Sequence, residues 1–127
     1  MMTSTTAVRA FRVAVEARDL DGMVAQLGPD AVLHSPVTFK PFERREAIAV
    51  LFGALLEVFE DFTYTDEMGG EGVESLLFRA RIGDRQVEGI DIIRVGRDGL
   101  IEDFTVMVRP MSGVQALAEA VGARLLK

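Results

Sequence analysis

Between residues 73 and 109 the chain repeats one arrangement, a strand-length apolar or alternating run ended by a compact turn signal. In the run 73–82, period-two alternation puts Leu76, Phe78, Ala80 and Ile82 on one face and Ser75, Leu77, Arg79 and Arg81 on the other. Gly83, Asp84 and Arg85 have hairpin chemistry. A second run covers 87–95, and Gly96, Arg97, Asp98 and Gly99 turn the chain into a last run, 100–109, stopped by Pro110. Strands joined by turns this short pair antiparallel with their sequence neighbours, so a curved antiparallel meander is the expected frame.

The segments outside that frame are mostly helical. A Ser/Thr cluster offers an N-cap to a first helix with Val8, Phe11 and Val15 at helical spacing, ending near Arg18. Asp19 is placed to cap a short second helix, with Met23, Val24 and Leu27 facing inward, and Gly28-Pro29 is expected to stop it. Residues 31–37 read as a short strand, with Pro36 marking an edge or an end. From about residue 43 to 60 the longest helix carries Ile48, Leu51, Phe52, Leu55 and Phe59 as one apolar stripe. A strand over 62–65 and a turn at Met68-Gly69-Gly70 lead into the meander. After Pro110, Ser112 and Gln115 have the spacing of a capping box, opening a helix with Val114, Leu117, Val121 and Leu125. The implied class is α+β, with a cone-shaped curved antiparallel sheet wrapped around the N-terminal helices and one long helix, plus a C-terminal helix. One domain over residues 1–127 accommodates it.

Charge and composition narrow the function. Acidic residues outnumber Lys and Arg by 20 to 14 and no basic run occurs, so clustered phosphate contacts with nucleic acid are not expected. The chain has no Trp and one Tyr, which also argues against base-stacking platforms. With no Cys and one His, neither a thiol nucleophile nor a metal site is expected, and no cofactor is implied. No apolar run is long enough to cross a bilayer and the first residues are polar, so a cytoplasmic setting is the default expectation.

Asp91 stands out within this pattern, because alternation puts it on the same strand face as Val87, Gly89, Ile93 and Val95. An ionised carboxylate among such neighbours must be paired, hydrated in a cavity, or neutralised through a raised pKa. The functional reading makes it a proton donor or ligand anchor; the structural one makes it an acid bonded to an Arg or to Tyr64. His34 is the sole histidine and the best available base, although alternation sends it opposite Ser35 unless a bulge at Pro36 re-aims it. Arg79 and Arg81 read as solvent or interface charges, and Met23, Met68, Met107 and Met111 as packing residues.

The element order, together with Phe11 through Asp19-Leu20-Asp21-Gly22, His34-Ser35-Pro36 and residues 87–95, resembles the nuclear transport factor 2-like superfamily over roughly residues 5–110. That superfamily includes ketosteroid isomerases, limonene-epoxide hydrolases and SnoaL-like polyketide cyclases. The resemblance implies that Asp91 occupies the position of the isomerases' protonated acid, a carboxyl kept neutral by apolar surroundings. It also places Phe11, which donates no hydrogen bond, where the oxyanion tyrosine would stand, and Ser35 where the catalytic base would stand. Standard ketosteroid isomerisation is therefore not expected. The epoxide hydrolases' arginine position holds Gly89, and Asp103 has the wrong parity to supply their second aspartate if Phe104 points inward.

Two readings follow from this. In the first, a SnoaL-like domain binds a small apolar or carbonyl-bearing molecule, with Asp91 as acid, His34 as base, and Phe11, Ser35, Phe52, Phe59, Tyr64 and Phe104 lining the cone. Its chemistry would be isomerase, cyclase or hydrolase type without metal. In the second, the aromatics fill the cone and the chain is a noncatalytic small-ligand-binding or dimerisation module. If Leu76, Phe78, Ala80 and Ile82 line the cone, Ile90, Ile92, Thr105 and Met107 fall on the outer sheet face, opposite Asp91, and the resemblance implies a homodimer through it.

Overall fold

The computed structural model describes residues 5–125, so residues 1–4 of the polar N-terminal stretch lie outside it. Thr5 caps α1 (Thr6–Glu16) by accepting from the Val8 amide at 3.3 Å, which satisfies one free donor of the first turn. Asp19 does the same for α2 (Leu20–Ala25), accepting from the Gly22 amide at 3.1 Å. Then follow β1 (Leu27–His34), β2 (Phe42–Glu43), α3 (Arg45–Val58), β3 (Glu60–Gly70), β4 (Val73–Ile82), β5 (Arg85–Val95), β6 (Ile101–Arg109) and α4 (Met111–Leu125). The strands form one curved, unclosed six-stranded sheet in the order β2-β1-β6-β5-β4-β3.

The meander β3 to β6 is antiparallel throughout, as its short turns require. β1 instead joins β6 in parallel, so the sheet is mixed. No tight turn links those two strands, and turn chemistry therefore says nothing about their direction.

Several boundaries move for local reasons. Gly28 and Pro29 do not stop α2; that helix ends at Ala25, and Leu27 already pairs with Ile101. Pro29 has no N–H for the ladder and sits within the register break between Leu27 and Val32. α3 begins at Arg45 because Glu43 is held in β2 opposite Val32. β3 runs through Met68, Gly69 and Gly70, and the turn falls on Glu71 and Gly72, whose φ values are 52° and 89°. Ser112 lies inside the first turn of α4 instead of capping it, since the amides of Gly113 and Val114 donate to the Pro110 carbonyl.

The inward faces are those alternation assigns. Leu76, Phe78, Ala80 and Ile82 of β4 are buried, and their β5 partners include Asp91, Gly89 and Val87. Phe11, Phe52 and Phe104 bring α1, α3 and β6 together with ring centroids 5.2 to 5.7 Å apart. Burying each such ring contributes about 1.5–3 kcal/mol. Glu74, also buried, accepts from the Thr5 amide at 2.7 Å and so ties β4 to the N-terminus of α1, where a carboxylate is favoured.

Candidate ligand-binding site

Asp91 lies in the middle of β5, opposite Leu76 on one side and Val106 on the other. Only 6% of its surface is exposed. Tyr64 reaches it from β3, and the phenol donates to Asp91 Oδ2 at 3.0 Å. Among the described residues Asp91 Oδ1 has no hydrogen-bond partner. Burial pushes the Asp91 carboxyl up to about 7, while the bond from Tyr64 pulls in the opposite direction. Burial, and then the neighbouring carboxylate, push the Tyr64 phenol well above its ordinary value, so it remains a donor.

Beside this pair lies a cavity of about 280 Å³. Phe11, Phe52, Phe59 and Phe104 border it without filling it, together with Met23, Phe62, Phe78 and Val106. Phe62 stacks on Phe78 with centroids 4.8 Å apart, and the Phe78 ring lies over the backbone of Gly89. A Cβ at Gly89 would stand 2.3 Å from Phe78 Cζ and 2.7 Å from the Met107 carbonyl, so only glycine fits and no arginine could occupy the position. The exposed residues Glu16, Arg18 and Asp61 form the polar mouth. Arg18 donates to the Leu56 carbonyl, and Asp61 accepts from Arg81 at 3.0 Å. The Arg12 guanidinium lies 5.5 Å from the centroid of the Tyr64 ring and pairs with Glu16 and Glu67.

Six of the residues named from sequence therefore meet at one cavity: Asp91, Tyr64, Phe11, Phe52, Phe59 and Phe104. His34 and Ser35 do not border it. His34 follows the alternation of β1 to the outer sheet face beside Thr105, where its Nε2 lies 3.2 Å from Asp103 Oδ2. No bulge turns it inward. Ser35 borders a separate cavity, and its Oγ accepts from the amides of Val37 and Thr38 at 3.3 and 3.2 Å. Phe62, Phe78 and Val106 join the site without a signal of their own in the sequence; the pairing of Phe78 with Gly89 brings that ring beside Asp91. No group of three or more His, Cys, Asp or Glu side chains capable of holding a metal ion occurs among the described residues, and no described helix is long and apolar enough to cross a membrane.

Fold and site together define a nuclear transport factor 2-like cone with a buried acid at its cavity. A family model described as a SnoaL-like domain matches residues 8–104, and the chain belongs to that family, in the ketosteroid isomerase-like branch of the superfamily. Among solved structures, a steroid delta-isomerase from Pseudomonas aeruginosa is similar at 42% identity and a TM-score of 0.90, covering 94% of this chain and 89% of that one. An uncharacterized bacterial protein with a cystatin-like fold from Silicibacter pomeroyi matches at 29% identity and a TM-score of 0.93, covering 97% and 87%. An NTF2-like protein of unknown function from Mesorhizobium loti shares the fold at 18% identity and a TM-score of 0.73, covering 82% and 88%. No curated protein matches the chain.

Proposed function

We propose that this protein binds a small, largely apolar molecule with one carbonyl oxygen, held by a hydrogen bond from the neutral carboxyl of Asp91. The observation that carries this reading is the buried Asp91 carboxyl, bonded through one oxygen to Tyr64, at the edge of an apolar cavity of about 280 Å³; burial pushes that carboxyl up to about 7. Near neutral pH a large share of its carboxyls keep the proton. With Oδ2 occupied by Tyr64, Oδ1 is left to donate to an incoming acceptor. Hydrogen bonding to a carbonyl also polarises it, which suits isomerase- or cyclase-type proton transfer. The similarity to a steroid delta-isomerase supports that chemistry.

Turnover by that route needs a base in the same cavity. Ser35 and His34 lie elsewhere, while the mouth carboxylates Glu16 and Asp61 are paired with Arg12 and Arg81. Binding with carbonyl polarisation is therefore the leading function, and catalytic proton transfer the second.

The test uses cyclohexanone, which only accepts hydrogen bonds. Tyr64 is the sole tyrosine and there is no Trp, so tyrosine fluorescence reports on the site alone. Affinity should fall as pH rises through about 7, where Asp91 loses its proton, and should be independent of pH in Asp91→Asn. A flat profile in the wild type would contradict the proposal.

The outer sheet face motivates a second proposal, a homodimer formed sheet against sheet in a cytoplasmic setting. Leu77, Ile90 and Ile92 are partly exposed there and Met107 is exposed. Sedimentation should give a dimer for the wild type and a monomer for Met107→Glu; a monomeric wild type would refute it.

A further inference from the structure

A second cavity, of about 170 Å³, lies between α3, α4 and the segment after β1. Leu55, Phe59 and Val106 border both cavities, so the two spaces meet at these three residues. On α4 the residues that line this space include Ala118 and Gly122, one turn apart, and a Cβ built at Gly122 would meet nothing within 4 Å. On its α4 side, these two positions leave the space without a large side chain.

Its chemistry differs from that of the Asp91 cavity. The hydroxyls at its edge belong to Ser35 and Thr38, and both are engaged by their own loop. Ser35 Oγ accepts from two amides, and Thr38 Oγ1 donates to the Lys40 carbonyl at 3.1 Å. The other lining side chains are apolar, among them Leu33, Phe42, Leu117 and Val121. A polar group moved here from water would find partners only in the Ser35 and Thr38 hydroxyls at one edge, whereas a methylene gains about 0.8 kcal/mol on burial wherever the lining is apolar.

We infer that this space receives the hydrocarbon tail of a ligand whose carbonyl sits on Asp91, the tail passing between Leu55, Phe59 and Val106. The inference rests on the Asp91 reading above and narrows its ligand class to carbonyl compounds with an unfunctionalised alkyl or alicyclic tail. α4 then acts as a length selector, through the absence of side chains at Ala118 and Gly122.

The test titrates cyclohexanone and its 4-n-alkyl derivatives of increasing length, read by Tyr64 fluorescence. In the wild type, affinity should rise about fourfold per methylene until the tail fills the second space, and level off beyond that. Gly122→Leu, which fills the second space, should leave cyclohexanone and its methyl derivative unchanged and flatten the rise for longer tails. Ala118→Leu should act in the same way and guards against an effect peculiar to one substitution. If cyclohexanone binds but both variants keep the wild-type slope, or the wild type shows no slope, the tail chamber is overturned while the Asp91 site stands. If no member of the series binds, both fall.

Discussion

Asp91 and Asp103 sit on neighbouring strands of one sheet, and each has a single described hydrogen-bonding side chain, yet they face opposite sides and do different things. Asp91 points into the concave face, is 6% exposed, and bonds to a neutral phenol that cannot balance its charge. Asp103 points outward with its side chain 34% exposed and meets His34, a partner able to carry the opposite charge, in contact with water. The same functional group is a buried carboxyl pushed up to about 7 in one place and half of a partly exposed pair in the other. Strand parity decides which, because one residue step along β5 or β6 exchanges cavity for solvent.

The largest effect that would sharpen this contrast is on stability against pH. Below about 4 Asp91 is protonated in both folded and unfolded chains and contributes nothing. Between about 4 and about 7 the unfolded chain releases the proton and the folded one retains it, so stability falls as pH rises. Above about 7 the cost is constant. That interval of about three pH units, at about 1.4 kcal/mol per unit, corresponds to roughly 4 kcal/mol. Asp91→Asn, which still accepts from Tyr64, should raise stability at pH 8 by up to that amount and leave it unchanged at pH 3.5, as measured by chemical denaturation. The corresponding Asp103→Asn should show no such gain, and a gain of equal size there would break the comparison.

Next in size is Gly89→Ala. Its Cβ would collide with Phe78 and the Met107 carbonyl, and overpacking of this kind should cost about 1–3 kcal/mol, read from the same denaturation curves. Tyr64→Phe should cost about 1–2 kcal/mol, because a buried acceptor loses its donor. It should also move the Asp91 midpoint above the wild-type value, since the Tyr64 bond holds it down. Smallest is His34→Ala, which removes a partly exposed pair and should change stability by about 0–1 kcal/mol, with no change in ketone affinity.

Much of this was legible in the residues themselves. Alternation along 87–95 puts Asp91 with Gly89, alternation along 73–82 puts Phe78 with Leu76, and the turns are enough to make the meander; the register that sets Phe78 opposite Gly89 joins the two faces. The site was less legible where several elements meet. The inward orientation of Tyr64 depends on the register breaks that flank it in β3, between Glu60 and Thr63 and between Tyr64 and Asp66, and alternation alone does not locate those. The parallel pairing of β1 with β6 involves positions far apart in the chain, and it carries His34 outward and Ser35 to a different cavity. Glu74 gives no signal in the sequence because its partner is the backbone amide of Thr5, which no side-chain pattern reveals.

The most direct test is a carboxyl carbon-13 NMR titration of Asp91, assigned by its disappearance in Asp91→Asn. Its midpoint should lie near 7 and move upward in Tyr64→Phe. A midpoint near the ordinary aspartate value of about 4 would mean that Asp91 is a carboxylate at neutral pH, and its role as a donor to a bound carbonyl would be lost.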